Sequence, residues 1–180
     1  VTSINKIFDL FDFELVDVLP QNTHGGSMRY VIGRRNKHKK SDEISKFLDE
    51  EQSKKLDTIE SCLAFKNACE LSKKMTISKL NKLKENNKKI CGYAATAKST
   101  TVLNYCKIGN NLIDYICDTT KEKIGKFSPG AHIPIVSMSH FEQNIPDVAF
   151  LFAWNHKDEI FLKEKKFKEN GGTWFSHVAL

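Results

Sequence analysis

The stretch KKICGYAATAKSTTVLNY, residues 88–105, has the pattern of a strand, a tight turn and the first turns of a helix. Ile90 and Cys91 form a short apolar run; Gly92, Ala94 and Ala97 follow, and Lys98-Ser99-Thr100-Thr101 opens an apolar helical pattern. The spacing Gly92-x-Ala94-x-x-Ala97 is a softened G-x-G-x-x-G, the turn of a nucleotide-binding βαβ unit. Small residues there let the backbone approach a phosphate, which the helix N-terminus attracts through unpaired N–H groups and its dipole. A second apolar run, 113–117, ends in Asp118, about where such units place a ribose-binding carboxylate. The same pattern also fits a βα turn whose small residues serve packing alone.

Outward from this unit the order is strand, helix, strand, loop, strand, helix, strand, helix, strand. The predicted strands are 90–93, 113–117, 133–136, 148–152 and 173–176; the helices are 99–105, 138–143 and 156–170, the last stopped by Gly171-Gly172. Such alternation predicts an α/β fold, a Rossmann-like, doubly wound and mainly parallel sheet over 89–180. Residues 36–88 read as a helical connector that starts near Ser41-Asp42-Glu43-Ile44. Ala64, Ala68, Leu71 and Met75 fall at helical spacing, and Ile77, Leu80 and Leu83 continue it after a phase shift. That stripe is expected to pack on the following sheet, with partner binding as the alternative. Residues 1–35 read as a helix (Ile4, Ile7, Phe8, Phe11), a strand over 13–19 ended by Pro20, a glycine turn and a strand over 28–32.

Composition narrows the function classes. At 180 residues, 40% hydrophobic and 28% charged, the chain is of ordinary globular make-up and long enough for one good core with an appendage. No apolar run reaches the ~20 residues of a membrane-spanning helix. The five cysteines (Cys62, Cys69, Cys91, Cys106, Cys117) form no CxxC pair, and an odd count with strand positions favours a reducing, cytoplasmic setting. The six histidines never fall at metal-ligand spacing. The net charge of +6 is concentrated in residues 34–89, which carry sixteen basic and nine acidic side chains. Arg34-Arg35-Asn36-Lys37-His38-Lys39-Lys40 lacks interleaved aromatics, so a solvated segment is the better account and no nucleic-acid partner is expected.

The motifs Gly92-Tyr93-Ala94-Ala95-Thr96-Ala97-Lys98, Leu103-Asn104-Tyr105, Asp118, Pro129-Gly130-Ala131-His132-Ile133-Pro134-Ile135 and Ala153-Trp154-Asn155 with Asp158-Glu159-Ile160 occur in this order. They closely resemble the C-terminal domain of the nucleotide-sugar (dTDP-hexose-type) C-methyltransferases, which use S-adenosylmethionine. The family's G-Y-G-A-x-A-K departs here at Ala94, where an added methyl group narrows the approach to a phosphate. His24-Gly25-Gly26-Ser27-Met28-Arg29 matches the family's H-G-G-S-x-R, so residues 1–35 resemble the end of the methyltransferase catalytic domain. Val1 opens without a methionine, which reads as a cut inside a larger protein. The resemblance implies that the acid/base Glu-His pair, the adenosylmethionine pocket and a zinc-binding segment lie upstream, and that this fragment alone does not methylate. It further implies a nucleotide-sugar substrate held by this domain. The alternative is a non-catalytic nucleotide-binding or dimerisation module, with a homodimer as partner.

The candidate substrate-binding residues are Gly92, Tyr93, Ala94, Thr96, Lys98, Ser99, Asn104, Asp118, His132, Trp154 and Asn155, with Ser27 and Arg29 from the hairpin. Ligands of open α/β sheets sit beyond the carboxyl ends of the strands near the switch point, where most of these fall. Lys98 opposes the helix dipole, which suggests a bound anion such as a pyrophosphate; the alternative is a solvent-facing lysine. Tyr93 and Trp154 stack on a base or sugar, or fill the core. Asn155 contacts ligand or caps the following helix. Asp118 accepts ribose hydroxyls or pairs with Lys121 or Lys123. His132 either donates to a sugar or phosphate or is structural. No catalytic residue is assigned within the chain, His24 offering support at most.

Overall fold

The structure, a computed structural model, describes all residues from Val1 to Leu180. The chain forms two compact units, Val1–Asn67 and Ala68–Leu180.

The first unit contains α1 (Thr2–Asp9), an antiparallel hairpin of β1 (Phe13–Gln21) and β2 (Ser27–Arg34), and α2 (Glu43–Ser53). Leu15, Val18 and Ile44 form its small core, joined by Met28, Tyr30, Ile32, Phe47 and Leu48. Pro20 does not end the first strand: it lies within β1, paired with Met28. A two-stranded ribbon has only edges, so proline's missing N–H leaves no central ladder broken. The ladder does shift between Leu15 and Asp17, where the extra residue Val16 accepts a hydrogen bond from the Ser41 amide at 2.9 Å.

A single helix, α3 (Ile59–Glu85), crosses the boundary between the units and stops at Asn87. Asn87 adopts φ 55°, and the Lys88 amide reaches back to the Leu83 carbonyl at 3.0 Å, a left-handed cap of the Schellman kind. The second unit continues with β3 (Ile90–Tyr93), α4 (Ala97–Cys106), β4 (Tyr115–Cys117), β5 (Ile135–Val136), α5 (Met138–Gln143), β6 (Val148–Leu151), a 3₁₀ turn (Trp154–His156), α6 (Lys157–Lys163), α7 (Lys165–Glu169) and β7 (Thr173–Phe175). The five strands are all parallel, in the order β5-β4-β3-β6-β7. In chain order of this sheet that is 3-2-1-4-5, the Rossmann-like doubly wound arrangement, with its switch point between β3 and β6.

Two cores, one on each face of this sheet, explain why β3 and β6 are apolar throughout. Ile90, Ile116, Val148 and Phe150 face Leu80 of α3 and Leu103 and Cys106 of α4. Cys91, Tyr93, Cys117, Ala149 and Leu151 face Phe141 of α5 and Phe167 of α7, with Ile160 and Phe161 of α6 beside them. Each fully buried leucine, isoleucine or phenylalanine contributes roughly 1.5–3 kcal/mol, so the central strands carry much of the unit's stability.

Two helical expectations are corrected. The stripe Leu71–Met75 does not pack on the sheet: Leu71 is 58% and Met75 64% exposed, and Thr76, Ile77, Leu80 and Leu83 take the buried side. The phase shift in the sequence therefore separates two faces of one helix rather than continuing one face. The last predicted helix, 156–170, is broken at Glu164, whose backbone (φ −100°, ψ 35°) leaves the helical region between α6 and α7. Its carboxylate turns inward and accepts the Tyr93 hydroxyl at 2.8 Å.

Candidate functional site

At the carboxyl ends of β3, β4 and β6 the second unit has a cavity of about 340 Å³. Its lining comes from Tyr93 and Ala94 after β3, Asp118 and Thr119 after β4, Ala153 after β6, and one face of α6 with the residue before it (His156, Glu159, Ile160, Lys163). That volume lies in the range of small-molecule sites, and the position is where open α/β sheets bind ligands.

The turn that forms its edge is tightly organised. Ala94 adopts φ 73° and donates its amide to the Cys117 carbonyl at 2.9 Å. A left-handed alanine costs of the order of 1–2 kcal/mol, a strain that a glycine at this place would not carry. Asp118, only 6% exposed, accepts the Ala95 amide at 2.7 Å through Oδ2 and the Thr120 amide at 2.8 Å through Oδ1. Lys123 lies 3.5 Å from the same Oδ2 and donates to the Ala95 carbonyl at 2.9 Å. Burial pushes the Asp118 carboxyl up, but the hydrogen bonds from Thr120 and Ala95 and the Lys123 charge outweigh it, leaving its pKa below the ordinary aspartate value. Of the two partners considered for Asp118, the structure supplies Lys123, and the carboxylate acts as the clamp of the turn.

Gly92 is not at the turn but inside β3. A Cβ there would lie 2.8 Å from the Phe152 ring and 2.9 Å from Ile116, so close packing between strands accounts for this glycine. Thr96 is the N-cap of α4 and accepts the Ser99 amide at 3.1 Å, while the buried Ser99 hydroxyl returns a bond to the Thr96 carbonyl at 2.6 Å. Asn104 donates from one amide nitrogen to the carbonyls of Thr100 and Pro129. It thereby pins the 129–132 turn, where Gly130 (φ 76°) passes so near that a Cβ would collide with its Oδ1. His132 is exposed beside that turn in a left-handed conformation.

Lys98 is not a free solvent-facing lysine. Its Nζ donates to Asn155 Oδ1 at 2.5 Å and stands 4.8 Å from the centre of the Trp154 ring. Residues 57 positions apart thus meet across the switch point, joining the β3 and β6 loops. Asn155 does not cap the following helix: α6 has no side-chain cap, and the Asn155 oxygen is occupied by Lys98. Tyr93 is 5% exposed, with Phe141 and Trp174 edge-on and its hydroxyl on Glu164; burial and then that carboxylate push its pKa far above the usual phenol range. It is core that also forms a wall of the cavity. His24, Ser27 and Arg29 belong to the first unit, where all three are exposed at the hairpin end.

The α6 wall was not read from the sequence. His156, Glu159 or Ile160, and Lys163 recur at helical spacing directly after Ala153-Trp154-Asn155, which was the available signal. Lys123 gave a weaker one, as an alternative partner of Asp118. No group of three or more histidine, cysteine, aspartate or glutamate side chains is arranged to hold a metal ion.

A family model described as the C-methyltransferase C-terminal domain matches residues 22–179. The chain belongs to this family. It is also 30% identical over 171 residues to the C-methyltransferase NovU of Streptomyces niveus, an alignment that takes in 94% of this chain and 41% of that relative. The chain therefore spans about two fifths of the length of the relative it matches. The motifs from Gly92 to Ile160 that the sequence singled out all lie inside the matched region. No helix is long and apolar enough to cross a membrane.

Proposed function

We propose that this chain is the substrate-holding part of an S-adenosylmethionine-dependent C-methyltransferase, and that its Rossmann-like unit binds the nucleotide half of a nucleotide-linked sugar. The observation that carries this reading is the cavity at the switch point, walled by the ends of three adjacent strands; the Lys98–Trp154–Asn155 cluster joins the start of α4 to the loop after β6. Lys98 uses one N–H on Asn155, and its other N–H bonds supply charge to a pyrophosphate at the start of α4. Trp154 offers a flat apolar surface beside it. The Asp118 clamp fixes the turn from Ala94 to Thr96, whose own amides donate within the chain, so the start of α4 is held in place before ligand arrives.

The methyl donor supplies the transferred group and belongs, by family resemblance, to residues outside this chain. The residues present form no zinc donor cluster. The role of this unit is binding and orientation. Anchoring the nucleotide away from the reacting carbon supplies binding energy and restricts the sugar to poses that meet the methyl donor.

Calorimetric titration of the chain with nucleoside diphosphates and nucleotide sugars tests the reading, with Lys98→Ala beside it. A pyrophosphate nucleotide should bind, and Lys98→Ala should weaken it by roughly ten- to a hundredfold, the range of one charge-assisted hydrogen bond. Binding equal in wild type and variant, or of nucleosides without phosphate as tightly as diphosphates, would remove the anion anchor from the account.

A further inference from the structure

The amino ends of β3 and β4 hold another cavity, of about 530 Å³, built entirely from residues of the second unit. Three lysines line it: Lys84 from the last turn of α3, and Lys88 and Lys89 from the link into β3. Asp114 is the one carboxylate among its lining residues. Ammonium groups gathered around one hollow raise the local concentration of anions, and the volume is that of a small-molecule site.

The fold uses part of this charge and leaves the rest. Asp114, before β4, and Asp147, before β6, stand on either side of the start of β3. Asp114 accepts Lys84 Nζ at 2.6 Å through Oδ1 and the Ile90 amide at 3.0 Å through Oδ2. Asp147 accepts Lys88 Nζ at 3.0 Å through Oδ1 and the Lys89 amide at 2.8 Å through Oδ2. Both carboxylates are thereby engaged in fixing the strand and two of the lysines. Lys84 and Lys88 each keep two further N–H bonds, and Lys89, whose Nζ has no partner in the chain, keeps all three. The carbonyls at the end of α3 are taken as well: those of Lys82, Leu83 and Lys84 accept the amides of Asn86, Lys88 and Asn87. Unspent donors are therefore what this end of the sheet offers.

The remaining wall is polar and flat. Tyr115 and His140 meet edge to face with ring centres 4.9 Å apart, and the Tyr115 hydroxyl donates to the Asn144 carbonyl at 3.1 Å. The ring nitrogens of His140 and the side chain of Asn87 have no hydrogen-bond partner. A carboxylate ligand presents only two oxygens to three lysines. A phosphate monoester presents three terminal oxygens and up to two charges, while free amide and imidazole edges suit hydroxyl groups. We infer that the amino end of this sheet binds a phosphomonoester of a small hydroxylated molecule, its phosphate on Lys84, Lys88 and Lys89 and its remainder against the Tyr115–His140 pair. The site shares no lining residue with the switch-point cavity and is independent of the nucleotide reading.

An amide chemical-shift map of the 180-residue chain titrated with glucose 6-phosphate tests it. The amides of residues 87–89, Tyr115, His140 and Asn144 should move together and saturate at millimolar ligand or below. Lys89→Gln should weaken this binding by roughly tenfold, the loss of one charge-assisted hydrogen bond. Its circular dichroism spectrum should be unchanged, because the bond from residue 89 to Asp147 is made by the backbone. Lys98→Ala, at the other end of the strands, should leave the same shifts and affinity as the wild type. Still amides at millimolar ligand overturn the inference. So do equal shifts with glucose, or with sodium chloride at matched ionic strength, and so does a Lys89→Gln chain that binds as tightly as the wild type.

Discussion

Gly92→Ala is the sharpest test of how β3 packs against its neighbours. The added methyl would sit 2.8 Å from the Phe152 ring and 2.9 Å from Ile116, both of them side chains with no exposed surface. Neither neighbour is the free end of a flexible side chain, so the strands or the ring must shift. Overpacking of this kind costs about 1–3 kcal/mol. Restricting the unfolded chain returns about 0.4–1 kcal/mol, which leaves a net destabilisation of about 1–2 kcal/mol. Both tryptophans, Trp154 and Trp174, lie in the second unit, so fluorescence-detected urea unfolding reports on that unit selectively. At roughly 4–8 °C per kcal/mol for a unit of about this size, the thermal midpoint should fall by about 5–15 °C. Adding Phe152→Leu should recover part of the loss, a coupling of about 0.5–3 kcal/mol that two independent substitutions would not show. A Gly92→Ala chain as stable as the wild type would refute the packing argument. A loss that Phe152→Leu merely adds to would refute the identity of the clash.

Ala94→Gly should act in the opposite sense, stabilising the second unit by about 0.5–1 kcal/mol: relief of a left-handed alanine outweighs the entropy of an added glycine. Urea midpoints decide it, and a destabilised variant would show that the φ of 73° is not strained. Tyr93→Phe removes the hydroxyl that Glu164 accepts at 2.8 Å and should cost about 1–3 kcal/mol, since a buried carboxylate loses a donor; a loss under 0.5 kcal/mol would contradict this. The Asp118 carboxyl titrates below its ordinary 3.8 when folded. Its stabilisation is therefore complete above that value and lost as pH falls through the lower folded value. The stability gap between wild type and Asp118→Asn should stay level from pH 7 to pH 5 and close below about pH 4; a gap that closes near neutrality would assign the clamp to another group.

Much of the architecture was legible because strands buried on both faces leave short, wholly apolar runs. Residues 90–93 and 148–151 are such runs, and the helix over 138–143 starts at a serine that caps it, with Ser137 accepting the His140 amide. What the sequence could not give are roles set by partners distant in the chain. Gly92 reads as a phosphate-turn glycine until Phe152, sixty residues later, is placed against it. Lys98 reads as a free solvent lysine or an anion ligand, and nothing in the sequence pairs it with Asn155 and Trp154 from the other side of the switch point. The break at Glu164 was equally hidden, because a carboxylate within a helical pattern normally faces water, and only Tyr93 gives it a reason to turn inward. Asp118 was legible as the residue that ends its strand, though not as the clamp of the neighbouring turn. The stripe on α3 shows the reverse case, where the periodicity was correct but did not reveal which of its two faces meets the sheet.

The most direct test of the central claim is an amide chemical-shift map of the chain titrated with a nucleoside diphosphate. The account expects the largest shifts at residues 94–99, at Asp118 and Thr119, and from Ala153 to Lys163, together with the Trp154 indole. Shifts spread along the lysines of α3, or none at millimolar ligand, would contradict a nucleotide site at the carboxyl ends of β3, β4 and β6.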